Sequence, residues 1–499
     1  MRITLSSVRE LYSRISIRVI VLTGLGVLSS VPTLASDFPG DPLGWPAAGS
    51  ETKPWTRWWW LGSAVDPQEI TRELEAFSKA GLGGVEICPI YGAVGAESRY
   101  LSFLSKEWMA AFEHTLKEAK RLGLGVDLTT GTGWPFGGPN VEDSMASSNL
   151  TPFRKSLPTG GLVSEALPKG RVLCLRAESV SGVVDLLPFI RSGKLEWDAP
   201  SGAWTLLGLF SQSPIQKVKR AAPGGEGSVL DPFSPMAMDR YFGRFAKELS
   251  NLGPLQPRAH FHESFEYYQA AWTPEFPDEF QKRRGYDLLS KLSAFEGDGD
   301  PEVVARVRSD YRLTLDELHR DYLQRWHDHA HENGSITRNQ AHGSPGNLLD
   351  HYAVSEIPET EIFQEVSEDQ IPMLRFASSA AHVTGRKLSS SETFTWLDEH
   401  FQVRPAKLKD AADFVFLGGA NHIFFHGIPY SPPDAGWPGW LFYASTHLGE
   451  NGGLWRDLPA LTGYLRRCQS ILQSGDPTAD ALIYFPMEDI RARDEGMLP

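Results

Sequence analysis

The amino-acid sequence predicts an α/β protein: a (β/α)8 TIM-like barrel with a small all-β insertion between strands 3 and 4. Three observations carry that expectation. From Trp55 onward, apolar runs alternate with amphipathic helical stretches through eight repeats, the pattern of parallel strands joined by helical crossovers. Each apolar run closes on polar residues, as expected where a catalytic barrel builds its site at the carboxyl ends of its strands. Residues 140–230 intervene between the third run and the fourth, too many for a plain crossover.

The strands are expected at 57–61, 84–89, 125–130, 260–266, 336–342, 357–363, 387–395 and 422–429. Their ends carry Glu86, Asp127, Glu263, Glu266, Asn339, His342, Glu361, Glu392 and His426. After the first strand, Asp66 offers a helix cap and Pro67 a first helical residue; Ile70, Leu74 and Phe77 then recur on one face until Gly81. A helix over 404–417 follows the same logic and stops at Gly418-Gly419. Within the insertion, short strands are expected at 171–178, 182–187, 193–197 and 203–211. The domain division is therefore 36–139 and 231–475 for the two parts of the barrel and 140–230 for the insertion. Residues 476–499 are either the start of a further β unit or a tail, because 479–485 reads as an opening strand.

Arg2, Arg9, Arg14 and Arg18 precede an apolar run over 19–28, and small residues follow up to Ala35, which reads as a secretory signal peptide over 1–35. The expected destination is the periplasm or the medium, with no membrane anchorage after the signal is removed. The run is shorter than the ~20 residues of a membrane span. A formal charge of −14 without any Lys/Arg block argues against nucleic acid as a partner. The three cysteines are far apart and imply no disulfide framework. No phosphate loop and no nucleophile-elbow Ser is present. The Gly-rich run Gly131–Gly138 passes through Trp134 and Pro135, which suits an aromatic loop over a sugar better than a dinucleotide fingerprint.

The chemistry is concentrated in carboxylates. Glu263 and Glu266 lie three apart at the fourth strand terminus; period-two geometry sends them to different sides of an ideal strand, so Glu266 belongs nearer the mouth. Glu361 and Glu392 end the sixth and seventh strands. Acetal hydrolysis needs one carboxylic acid and one carboxylate, and these strand ends supply them with one to spare. A spare carboxylate suits a hard cation such as Ca2+, which takes oxygen ligands. The cluster His327-Asp328-His329-Ala330-His331 reads instead as the solvated end of a helix.

The motifs Arg57-Trp58-Trp59-Trp60, Ala80–Glu86, Thr130–Pro135, Glu263–Glu266 and Ser391–Trp396 together resemble the α-L-rhamnosidases of glycoside hydrolase family 106, over about Trp55 to Leu472. The resemblance implies a secreted, inverting enzyme that releases terminal α-L-rhamnose using two glutamates and calcium, with a rhamnosylated glycan or glycoside as its partner. Carried onto this sequence, it makes Glu266 the general acid and leaves Glu361 and Glu392 to compete as base and calcium ligand. Glu263, Glu361 and Glu392 are the expected metal ligands, and Trp59, Glu86, Trp134, His342, Trp396 and His426 the expected substrate contacts. The family's usual Asp before Ser in the fourth-strand motif is Glu263 here, and the resemblance leads one to expect long β-rich domains after the barrel, which the 499 residues do not include. The alternatives are a retaining, β-galactosidase-like barrel with Glu266 as acid and Glu392 as nucleophile, or a sugar-binding relative without turnover. Carboxyl groups about 5–5.5 Å apart imply retention and about 6.5–9.5 Å inversion.

Overall fold

The computed structural model describes residues 45–493 except 365, 366 and 445. The signal-peptide reading lies outside the described residues, and within them no helix is long and apolar enough to cross a membrane. Eight parallel strands close a barrel: β1 (Trp55–Leu61), β2 (Gly84–Ile90), β3 (Gly125–Thr129), β4 (Ala259–His262), β5 (Ile336–Asn339), β6 (Ile357–Phe363), β7 (Ser390–Thr395) and β8 (His422–Pro429). Neighbours in sequence are neighbours in space, and β1 pairs with β8 to complete the ring. All eight runs expected from the sequence are strands. The fourth and fifth end earlier than expected, at His262 and Asn339, which leaves Glu263, Glu266 and His342 on the loops at the mouth.

Side-chain alternation explains how so polar a sequence builds a barrel. On β1, Trp58 and Trp60 face the helices: the Trp58 indole donates to Glu73 at 2.8 Å, and Trp60 packs against Trp108. Trp55, Arg57 and Trp59 face the interior. Trp55 fills the floor, where a Cβ on Gly84 or Gly125 would come within 2.6 or 2.1 Å of its ring, so neither glycine tolerates a side chain. The outward faces of the strands and the inner faces of the helices form one apolar core that includes Ile70, Leu74, Phe112, Leu128, Phe242, Trp326, Val415 and Leu465.

The crossover helices are α1 (Pro67–Lys79), α2 (Lys106–Leu122), α3 (Pro235–Leu249), α4 (Pro301–Glu332), α5 (Leu348–Ala353), α6 (Ile371–Val383), α7 (Pro405–Leu417) and α8 (Leu458–Leu472). Asp66 caps α1 as expected, accepting from the N–H groups of Gln68 and Glu69. Between β3 and α3 stands the insertion, with a four-stranded and a three-stranded antiparallel sheet around Leu175, Leu195, Trp197, Leu206 and Phe210. Of its strands that the sequence reading missed, the two longest are Thr151–Leu157 and Gly161–Ala166. Neither carries a strong apolar pattern: the first alternates only between exposed and half-buried residues and includes Pro152, Arg154 and Lys155, although its Phe153 and Leu157, like Val163 of the second, pack against the insertion's core.

The strand expected at 479–485 does not form. Leu482, Ile483 and Tyr484 are largely exposed, and the chain instead makes a short helix, Met487–Arg491, whose Arg491 guanidinium pairs with Asp316 on α4. The segment 476–493 thus reaches α4 through the Arg491–Asp316 pair.

Candidate active site

Two layers of charge fill the barrel above Trp55. In the lower layer, the Arg338 guanidinium on β5 pairs with Glu86 of β2 and Glu359 of β6, and its Nε lies 3.2 Å from Asp127 of β3. All four side chains are fully buried. The guanidinium is sandwiched between the rings of Phe261 and Phe424, 4.1 and 3.7 Å away. Arg258 makes a second, bidentate contact to Asp127 at 2.9 and 2.7 Å. Burial pushes Glu359 up to about 7 against the opposing effect of Arg338.

The upper layer is centred on Arg57 of β1. Its Nη1 lies 3.0 Å from Glu263 Oε2, its Nη2 3.0 Å from Glu392 Oε2, and its Nε 3.3 Å from Glu86 Oε1, which ties the two layers together. Burial works against the charge of Glu392, but Arg57, His426 and hydrogen bonds from Thr395 and Gln340 outweigh it and hold Glu392 down at about 2. Thr395 donates to Glu392 Oε1 at 2.8 Å and Gln340 to Oε2 at 3.1 Å. The left-handed backbone of Phe394, φ 77°, lies between Glu392 and the threonine that bonds to it.

Glu361 is the cross-strand partner of Glu392. Burial and the charges of Glu392, Glu263 and Glu266 push its carboxyl well above the usual range, with Arg57 opposing. Glu263 is driven to about 8 by burial and by Glu392 and Glu86, again against Arg57. One guanidinium thus faces three carboxyl groups, and near neutral pH the two histidines at hand add no charge, because burial lowers His342 and takes His426 to about 4; only in acid does His426 become a cation beside Glu392. His342 Nε2 stands 3.4 Å from Glu361 Oε1, and His426 Nε2 stands 3.6 Å from Glu392 Oε1.

Oxygen donors predominate here, which suits a calcium-type cation better than a softer metal, but as placed Glu263, Glu361 and Glu392 do not bring their ligand atoms within 4.8 Å of one another, so they would have to draw together around an ion. The residues that would hold such an ion are Glu361, Glu263 and Glu392.

Glu266 is placed differently. It lies on the loop after β4 with 29 % of its side chain exposed; its carboxylate pairs with Lys219 and accepts from Tyr268 at 2.8 Å. Gln216 donates to the Glu266 carbonyl at 2.9 Å, so the chain returning from the insertion clamps this loop. Glu266 is near enough to Glu361 to raise it electrostatically, which puts it at the rim of the same site.

Of the expected substrate contacts, His342 and His426 reach the cluster. Trp59 and Trp134 belong to a buried aromatic cluster beside it: Trp59 stacks on Phe442 at 4.0 Å and meets His426 edge-on at 4.9 Å, and Trp134 packs against both Trp59 and Phe442. Two expectations need correction. Glu86 is fully buried and spends its oxygens on Arg57, Arg338 and Thr129, so it supports the site from beneath. Trp396 lies in the apolar core beside Phe394, its indole donating to the Gln364 carbonyl at 2.8 Å.

The sequence reading did not single out Arg57, Gln340, Lys219, Tyr268 or Phe442 as site residues. Arg57 did carry a signal, because an arginine inside an otherwise apolar strand must find a buried partner. Lys219 and Phe442 come from long loops without periodicity.

A family model for alpha-L-rhamnosidases, glycoside hydrolase family 106, matches residues 47–174 and 175–493. A Formosa agariphila protein named "Putative beta-glucuronidase" is 27% identical over 520 residues, covering 92% of this chain and 43% of that protein. Among solved structures, the rhamnosidase from Novosphingobium sp. PP1Y superposes with a TM-score of 0.68 at 18% identity, over 86% of this chain and 60% of the other. A cold-adapted β-galactosidase from Rahnella sp. R3 gives 0.51 at 11% identity, over 91% and 62%. The chain thus spans less than two thirds of the length of these relatives, and the two structural likenesses bear on the barrel fold alone. By its match to the family model over nearly the whole described chain, the protein belongs to glycoside hydrolase family 106, the α-L-rhamnosidase family.

Proposed function

We propose that this chain is the catalytic part of an exported, calcium-dependent α-L-rhamnosidase that releases terminal α-L-rhamnose from glycans or glycosides with inversion. The observation that carries the reading is the divergence of two neighbouring carboxyl groups: Glu392 is held ionised while Glu361 beside it is driven toward its neutral form. In this reading, Glu392 is the base that takes a proton from the attacking water, held in place by Arg57, Gln340 and Thr395. Glu361 and Glu263 are the residues whose repulsion a calcium ion relieves. When bound, the ion supplies positive charge that fixes sugar hydroxyls.

Glu266, at the rim where a leaving group departs, is the general acid. Its pairing with Lys219 and Tyr268 must open as the substrate enters. A uronic acid, suggested by the name of the Formosa agariphila relative, would bring another carboxylate against Glu263, Glu361, Glu392 and Glu266, so the neutral deoxy sugar is the better electrostatic match.

A specific observation supports a second proton donor, since Glu361, like Glu263, is a carboxyl group at the mouth that its surroundings favour in the protonated form, and unlike Glu263 it is not ion-paired with Arg57. Leaving-group dependence separates the two. Replacing the acid costs least on a substrate whose leaving group needs no proton, so Glu266→Gln should retain far more activity on 4-nitrophenyl α-L-rhamnoside than on an alkyl rhamnoside. If Glu361→Gln shows that pattern and Glu266→Gln does not, Glu361 is the acid. Proton NMR of the first-formed sugar tests the stereochemistry: β-L-rhamnose supports inversion, and α-L-rhamnose supports the retaining alternative, with Glu392 as nucleophile.

A further inference from the structure

At the opposite end of the barrel from the mouth, three side chains meet that the proposed hydrolysis does not use. His327 and His331 are four residues apart in the last turns of α4, on one face of the helix, and Glu356 immediately precedes β6. Glu356 Oε1 lies 2.9 Å from His327 Nε2 and 3.0 Å from His331 Nε2. The imidazole rings stack with centroids 4.2 Å apart. We propose that His327, His331 and Glu356 form a binding site for a divalent transition-metal ion, best matched by Zn2+, that clips the carboxyl end of α4 to the amino-terminal rim of β5 and β6.

The arrangement has the parts such a site needs. The three ligand atoms lie within 4.8 Å of one another. A tetrahedral zinc about 2.1 Å from each ligand would hold them about 3.4 Å apart, so the two present contacts would open by about half an ångström. The ligands are also oriented from behind. The second oxygen of Glu356 accepts from the Thr337 N–H and hydroxyl, both at 2.9 Å, which leaves Oε1 for the metal. His327 Nδ1 stands 3.4 Å from Asp328 Oδ1 and 3.2 Å from Gln324 Nε2, so a carboxylate is in place to fix the ring, as is common behind metal-bound histidines. His331 is exposed over 45% of its side chain, which gives the ion a way in and room for a water as fourth ligand.

Arg386 Nη1, 4.0 Å from Glu356 Oε1, is the opposing charge and would have to give way to an ion; its side chain is 34% exposed. His329, between the two ligands in sequence, turns away to Asp239 and Glu332 and takes no part. The donor set is that of zinc, two imidazoles and a carboxylate, and unlike the all-oxygen cluster at the mouth.

The test is equilibrium dialysis of the chelator-treated chain against micromolar Zn2+ with millimolar Ca2+ present to occupy the carboxylate cluster. The site predicts one zinc bound per chain, an upward shift in melting temperature on loading, and loss of both in His331→Gln, whose exposed position makes it the substitution least disturbing to folding. Glu356→Gln should weaken binding by about tenfold or more, and His342→Gln, at the mouth, should leave it unchanged. Absence of bound zinc in the wild-type chain under these conditions would overturn the proposal. So would equal binding in wild type and His331→Gln, and the three residues would then be a hydrogen-bonded clip only.

Discussion

The two charged layers of the barrel are built from the same residue types and behave differently. In the lower layer, Glu86, Asp127 and Glu359 meet two guanidinium groups, Arg338 and Arg258, and two aromatic rings pin one of them. In the upper layer, Glu263, Glu361 and Glu392 meet Arg57 alone. The three carboxyl groups of the lower layer and Arg338 are shut off from solvent, leaving only Arg258 partly exposed, whereas in the upper layer a carboxyl group itself, Glu361, has 18% of its side chain open. Buried charge that is nearly matched and sealed serves as structure; buried charge that is under-compensated and accessible is available for protons, a cation and chemistry.

The comparison breaks most visibly at Arg338. Arg338→Met leaves three fully buried carboxyl groups short of their shared cation, and removing one partner of a buried pair costs about 3–5 kcal/mol. Urea denaturation should show that loss; a stability within about 1 kcal/mol of wild type, the scale of a surface pair, would mean that the lower layer is no anchor. In the upper layer the effect should fall on activity. Glu392→Gln should lower kcat by about 10²–10⁴-fold while costing less stability than Arg338→Met, as read by steady-state kinetics beside the same denaturation.

A smaller effect sharpens the contrast through pH. Glu263 is raised in the folded protein to about 8, so between its ordinary value near 4.5 and about 8 the folded state holds a proton that the unfolded state has released. Stability should therefore decline as pH rises through that window. Glu392, held near 2, gives the opposite trend only in acid, below about 4.5. Calcium should flatten the decline, as should Glu263→Gln. Melting temperatures from pH 5 to 8 that are level without calcium would remove the argument for crowded carboxylates. The smallest effect belongs to Trp396→Phe: with its indole in the core, it should cost some stability and leave KM within about twofold, a change worth under 0.5 kcal/mol. A large rise in KM would return Trp396 to the substrate site.

The barrel was legible in the sequence because each strand is short, apolar on its outer face and polar at its carboxyl end, and these signals are local. The site was legible only in part. Glu361 and Glu392 could be picked out because nothing else explains a carboxylate at the end of an apolar strand. Glu86 carries the same local signal, yet the structure spends it on Arg338, a partner 252 residues away that no spacing rule reveals. Trp396 fails for a related reason: a tryptophan beside a catalytic-type glutamate looks like a sugar platform, but backbone geometry turns it into the core. His327 and His331 read as a solvated helix end because Glu356 comes from another element.

The central claim is that the under-compensated upper layer is a calcium-requiring hydrolytic centre. Its most direct test is the rate of 4-nitrophenyl α-L-rhamnoside hydrolysis by the folded chain, with calcium and with chelator, in wild type and Glu392→Gln. The account predicts turnover that needs calcium and collapses in the variant. Absence of turnover in a folded, calcium-loaded chain, or an unchanged rate in Glu392→Gln, would contradict it.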